Sequence, residues 1–372
     1  MQPLSVLLIS TSYPYNSTDW RARFIADMVE SLAASDNLQL SVWAPPGNLP
    51  GSVRSVLISE DISLLGKITD AGGIAHMLRS SKFKAAKYVI QLLVHLRRCY
   101  RLSSQDIFHI NWLQNALSLP LDDHRPVLIT VLGSDYRWLS IPGLSKLLRR
   151  VLSGRKVYIA PNAEWMVPEL TKVFGDIAEV HAIPFGIEKG WYTVQRDQNA
   201  CLSNQWLAVT RVTRGKIGNL FSWGEDTFNK PASLHLLGPH QESDIRIPDW
   251  VNYHGPTFPE ALKSTWFRQA AGLISLSQHD EGRPQVMLEA MASGLPIIAS
   301  DLPAHRDIIR HGETGYLVSS KEDLRTALYQ LSDPTINQKF GEAAREAAIA
   351  YYGTWEDCAS RYQSAYAKLL RP

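Results

Sequence analysis

The stretch from Ala271 to Ser300 limits this chain most. Ala271 to Ser277 reads as a buried strand, Glu281 to Gln285 as a Gly/Pro loop and Val286 to Ala292 as an apolar helix. Gly294 and Pro296 stop that helix, and Ile297 to Ser300 starts another strand. Strand, loop, helix and strand in such close order build parallel sheet, which gathers ligands at the carboxyl ends of its strands. Two carboxylates, Glu281 and Glu289, stand eight positions apart in this unit. The helix start near Val286 offers backbone N–H groups and a partial positive charge suited to a diphosphate. Glu289, expected in the first helical turn, could accept hydrogen bonds from the vicinal hydroxyls of a ribose. Glu281, at the lip of the loop, could reach a hexose. A single first-turn Glu is also what the helix dipole favours by itself, but that does not account for the loop and the flanking strands.

A length of 372 residues is long for one core and comfortable for two domains. The first strand, Val6 to Ser10, leads through a polar loop into a helix from about Trp20 to Ala34, with Asp19 as its expected N-cap. A second strand, Leu38 to Trp43, completes a βαβ opening. Strand-like runs recur at 107–110, 127–132, 157–160 and 180–183, and a second set runs from Trp206 to Val318. The reading is α/β, with a first Rossmann-like domain over residues 1–190 and a second over 200–350. A polar linker is expected from Glu188 to Asn204, and an amphipathic helix closes the chain at 354–372.

In the second set, the first strand runs into Thr210, Arg211, Val212, Thr213, Arg214, Gly215 and Lys216. Arg211 and Lys216 supply a planar guanidinium and a point-charge ammonium, either of which stabilises charge developing on a leaving diphosphate. Short basic turns are common, so the placement after a strand carries the argument; Arg214 is a weaker candidate. In the first set His109 and Asn111 share one strand face. A strand-end His is as well read as a structural hydrogen-bonder as a catalyst. Ser134 and Asp135 follow the next strand, where they could bind sugar hydroxyls or cap a helix.

The order from Glu281 through Glu289, Ala290, Met291, Ala292, Gly294 and Pro296 to Ser300 resembles the Glu-x7-Glu signature of retaining glycosyltransferases of family 4 (group 1). Gly312 to Val318 looks like that family's Gly-x-x-Gly-x-Leu-Val turn and strand, with Ala304 to Ile309 as the helix between. Thr130 to Asp135 and Ile183 to Glu188 resemble two further segments of it. The resemblance implies a GT-B fold, two Rossmann-like domains facing each other across a cleft, with the last helix returning to the first. It implies transfer of a hexosyl unit from a UDP- or GDP-sugar to an acceptor hydroxyl, in cell-surface polysaccharide or lipid-linked glycan synthesis. Glu281, Arg211, Lys216 and His109 would then be catalytic. Glu289, Gly282, Arg283, Pro284, Gln285, Val286, Ser134 and Asp135 would bind the donor. No cofactor is expected beyond the donor, and no metal, since no Asp-x-Asp motif stands beside the sugar site. The chain departs from the family at Leu132 and Asn111, where relatives carry His, and in the first loop, where Arg21 and Arg23 stand in place of a Gly pair. These departures leave room for a sugar-nucleotide epimerase or a non-catalytic nucleotide-sugar-binding subunit.

A net charge of +2 argues against bulk nucleic-acid binding. The three scattered cysteines show no disulfide or metal spacing, which suits a reducing compartment. No leader or membrane-spanning run is read, so a cytoplasmic protein is expected. Residues 1–190 nevertheless hold 20 Lys and Arg against 16 Asp and Glu, while residues 191–372 hold 18 against 20. The first excess clusters at Lys82, Lys84, Lys87, Arg97, Arg98 and Arg101, and again at Lys146, Arg149, Arg150, Arg155 and Lys156. Such helices either lie on an anionic membrane, at its inner face, or pack on the sheet with their cations solvated.

Overall fold

The computed structural model describes residues 3–371 except 17, 18, 20, 75, 76, 78–81, 134, 198, 229, 230 and 280; at 82 and 84 only the backbone is described. Ser134 and the side chains of Lys82 and Lys84 therefore lie outside the described residues, as does Trp20, where the first helix was expected to begin. The chain divides into two compact units, Met1–Phe185 with Trp355–Pro372, and Gly186–Thr354.

The first unit is built on a seven-stranded parallel sheet in the order β3-β2-β1-β4-β5-β6-β7. Its strands are β1 (Leu4–Ile9), β2 (Leu38–Trp43), β3 (Arg54–Ser55), β4 (Ile107–Asn111), β5 (Val127–Val131), β6 (Val157–Pro161) and β7 (Glu179–Val180). Alternating side chains send Leu7, Ile9, Phe108 and Ile110 into one core and Val6, Leu8, Ile107 and Leu128 into another. Burial on both faces explains why these strands read as continuous apolar runs. Around the sheet lie α1 (Arg23–Ala33), α2 (Ser59–Asp70), α3 (Lys82–Leu102) and α4 (Leu144–Leu152). The C-terminal helix, Trp355–Leu370, buries Trp355, Cys358, Tyr362, Tyr366 and Leu369 in the same core as α1.

Two local expectations fail here. α1 begins at Arg23 behind Ala22, which has a left-handed backbone at φ 51° and no side-chain cap. Asp19 is not its N-cap; it binds Arg21 through Nε at 2.9 Å and through the backbone N–H at 3.1 Å. The charge pair within the loop outcompetes the cap.

The second unit has a six-stranded parallel sheet in the order β10-β9-β8-β11-β12-β13. These are β8 (Gln205–Val209), β9 (Ser233–Leu237), β10 (Val251–Gly255), β11 (Gly272–Ser275), β12 (Ile297–Ser300) and β13 (Gly315–Val318). The order reverses between β8 and β11, so the loops after those two strands part in opposite directions and leave a crevice at the sheet's carboxyl edge. The supposed linker folds into this unit. Trp191 and Val194 are buried in its core. The Arg196 guanidinium donates to the carbonyls of Gly294 (3.0 Å) and Ala270 (2.9 Å) and to Asn337 Oδ1 (2.9 Å). The segment is aperiodic because side-chain contacts, not a backbone ladder, hold it.

His109 is fully buried, with Nδ1 2.6 Å from the Tyr366 hydroxyl and Nε2 2.8 Å from Thr130 Oγ1. Burial pushes its pKa down from 6.5 to about 3. Between those values the unfolded chain binds the extra proton, so the stability from neutral His109 is full above pH 6.5 and is lost as pH falls toward 3. Between pH 7 and pH 5 wild-type protein should lose about 2 kcal/mol more stability than His109→Gln. Urea midpoints of both proteins at the two pH values check this, and parallel losses would refute it.

Candidate functional site

The carboxyl edge of the second sheet brings together most of the residues the sequence singles out. β8 ends at Val209, and the chain turns through Arg211 into the short helix α5 (Arg214–Ile217). Thr213 caps it, its Oγ1 accepting the Lys216 backbone N–H at 3.3 Å. β11 ends at Ser275, and its outgoing loop is stitched to α5. The Gly215 carbonyl accepts from Gln278 N at 2.8 Å and from Ser277 Oγ at 3.2 Å. Gly218, at φ 51°, passes so close to this loop that a Cβ would stand 2.1 Å from the Leu276 carbonyl oxygen. Only glycine allows that approach.

These stitches set Lys216 Nζ in an ion pair with Glu281 Oε1, each side chain 16% exposed. Burial lowers the Lys216 pKa, Glu281 opposes that shift and the nearby Arg211 adds to it. Arg211 Nη1 also reaches Gln241 Oε1 at 3.4 Å. Arg214 leaves the group, pairing with Asp244 in an exposed bridge.

Beyond Glu281 the loop is held from behind. Gly282, Arg283 and Pro284 are buried. The Arg283 side chain points inward, pairing with Asp307 and lying over the rings of Tyr352 (4.9 Å) and Tyr351 (5.7 Å). Burial works against its charge, and Tyr352 and Asp307 overcome that and raise its pKa. Its guanidinium thus anchors the loop and leaves only its backbone for the donor contact expected of Arg283.

α6 (Gln285–Ala292) starts at Gln285, whose side chain donates to the Gly186 carbonyl at 3.0 Å. By helix geometry the amides of Gln285 and Val286 have no intrahelical acceptor. Pro284 takes the cap position, so no acidic residue lies in the first turn. Glu289 therefore sits one turn further in than expected, half-buried, where the helix end does not explain it.

The first-unit candidates behave differently. His109 is sealed among Thr130, Tyr362 and Tyr366, and so is a structural hydrogen-bonder, not an exposed catalyst. Asp135 is fully buried; its oxygens accept the N–H groups of Leu113 (2.9 Å) and Leu132 (2.8 Å). Burial raises its pKa to about 6 against those donors. It ties two loops together, and neither caps the following helical turn nor meets solvent.

One group escaped the sequence reading. His305, on α7 (Pro303–Arg306), is fully buried with Nδ1 2.7 Å from the Ser300 carbonyl oxygen, and its Nε2 has no hydrogen-bond partner among the described residues. Burial lowers its pKa, and Glu281 and Lys216 both act on it electrostatically. Its place just after β12 was the available signal. Among the described residues no group of three or more His, Cys, Asp or Glu could hold a metal ion.

Comparison with known proteins bears on this geometry. Residues 223–333 match the model of the family described as glycosyl transferases group 1. A D-inositol 3-phosphate glycosyltransferase of Corynebacterium diphtheriae is 35% identical over 126 residues, 33% of this chain and 28% of that protein. The chain spans less than a third of the length of the first curated relatives it matches. A sucrose-phosphate synthase from Thermosynechococcus elongatus superposes with a TM-score of 0.73 at 18% identity, over 98% of this chain and 99% of that one. Anabaena Alr3699/HepE, crystallised with UDP-glucose, does so at 0.65 and 11% identity, over 98% and 100%. These likenesses give the chain the GT-B fold. The matched stretch holds Glu281 and Glu289 but not Arg211 or Lys216.

Removing the anchor behind the loop should uncouple stability from the exposed groups. Arg283→Met strands Asp307 and should cost about 3–5 kcal/mol. A denaturant titration reads it, and a loss under 1 kcal/mol would show that Arg283 does not hold the loop.

Proposed function

We propose that this chain is a retaining hexosyltransferase that moves a sugar from a UDP- or GDP-sugar to an acceptor hydroxyl in the synthesis of a cell-surface or lipid-linked glycan. The carrying observation is the Lys216–Glu281 pair at the head of α6, on the sheet edge where the strand order reverses. The α6 amides, Lys216 and Arg211 would take the diphosphate, Glu289 the ribose and Glu281 the hexose. The two cations stabilise the leaving charge, so the reading invokes no metal and no cofactor besides the donor. The UDP-glucose in the Anabaena neighbour supports a nucleotide-sugar donor. On this reading the first unit binds the acceptor.

The membrane expectation draws support from α3. Its exposed face alternates Phe83 (93% exposed), Ile90 and Val94 with Lys87, Arg97 and Arg101. Apolar and cationic groups on one helical face suit an anionic lipid surface. No described helix is long and apolar enough to cross a membrane. The sealed position of His109 favours a second reading, a subunit that binds nucleotide sugar without turnover.

Product analysis with and without added acceptor separates these readings and the epimerase alternative. Glu289→Ala should weaken nucleotide-sugar binding at least tenfold by calorimetry, and unchanged affinity removes it from the ribose. In Lys216→Ala turnover should fall by one to three orders of magnitude, as for loss of a fixed charge-stabiliser. Wild-type turnover there would refute its role.

A further inference from the structure

A cleft in the first unit lies apart from the candidate site of the second. It is about 640 Å³ and opens between α2 and α3. Ser59, Lys67, Lys87, Tyr88, Gln91 and His95 line it. Behind its wall Asp61 is buried and accepts from three groups at once. They are His95 Nδ1 at 2.7 Å, Arg98 Nη2 at 2.9 Å and the Ile58 backbone N–H at 3.1 Å. A carboxylate on Nδ1 fixes the orientation of an imidazole and leaves its Nε2 to face away, here toward the cleft.

Charge identifies the occupant. Among the described residues neither Lys67 nor Lys87 forms an ion pair, and both line the same opening. Glu60 is the one carboxylate on the lining, Asp61 being engaged behind it. Two ammonium groups and an imidazole converging beside hydroxyl and amide donors make a site for a compact polyanion. The cleft residues Lys87, Gln91 and His95 neighbour the exposed Ile90 and Val94 on the same helix.

We infer that the α2–α3 cleft binds a phosphate or diphosphate group, contacted by Lys67, Lys87 and His95. The group could belong to a soluble phosphate ester or to the headgroup of a lipid. The site is independent of the nucleotide-sugar reading of the second unit, and its test is too.

The full chain would be titrated with inorganic pyrophosphate by calorimetry, and with phosphatidylcholine vesicles with and without phosphatidic acid by sedimentation. The same runs would use Lys67→Gln/Lys87→Gln and, as a control for general charge, Arg325→Gln/Lys339→Gln in the second unit. All four positions are exposed, so folding should hold, and thermal melting checks it. Saturable binding that the cleft variant weakens at least tenfold, with the control changing less than threefold, is the expected result. If pyrophosphate shows it, the source is a soluble phosphate; if only phosphatidic acid vesicles do, the source is a lipid. No saturable binding of either probe, or equal losses in the two variants, overturns the site. UDP binding measured in parallel reports on the second unit alone, so either idea can fail without the other.

Discussion

A parallel sheet delivers the carboxyl ends of all its strands to one edge, and the strand order decides which two of them part. In the second unit β8 and β11 are neighbours that continue in opposite directions. Everything chemical in that unit follows from bringing their two outgoing loops back together. Gly215, Ser277 and Gln278 do so through backbone and hydroxyl bonds, and Gly218 clears the space. Only then can a lysine from one loop meet a glutamate from the other. A half-buried ion pair adds little net stability, because desolvating two charges offsets most of their attraction. Its value lies in geometry, with two opposite charges held at a fixed place before any ligand arrives.

The two units share an architecture and use their carboxyl edges differently. In the second, Glu281, Lys216, Arg211 and Glu289 keep partial exposure. In the first, His109, Asn111 and Asp135 are fully buried, and their hydrogen bonds go to the protein itself. His109 joins β4 to β5 and to the C-terminal helix through Thr130 and Tyr366. A polar residue at a strand end can thus close a core as readily as open a site, and sequence position does not tell the two apart.

That distinction sets how much the sequence could reveal. Short apolar runs marked the long strands, because burial on both faces leaves them no polar alternation to obscure. The two-residue strand β3 carries too few residues to show any pattern, and of the run read at 180–183 only Val180 falls in the short β7. The helix after the Gly/Pro loop was legible, but its start was not, since Pro284 at the cap moves the first turn to Gln285 and leaves Glu289 behind it. The pair of Glu281 and Lys216 was legible as two candidates and not as a contact; 65 positions of chain separate them. Arg196 was invisible for a related reason, and His305 showed only its place after β12. Their roles come from burial among carbonyls that no local spacing records.

The resting charge of the site also shapes what a donor would meet. Arg211 and Lys216 stand against Glu281 and Glu289, so the four formal charges cancel before anything binds. A diphosphate would bring an anion stronger than Glu281 to the same ammonium. Lys216 responds to such a change, because burial already weakens its hold on the proton and only nearby anions restore it. On the proposed reading the phosphate would take over that restoring role and free the Glu281 carboxylate to accept hydrogen bonds from sugar hydroxyls. The ion pair of the free protein would thereby keep each group partnered until a substrate supplied a better partner for each. Neither group would have to cross the site.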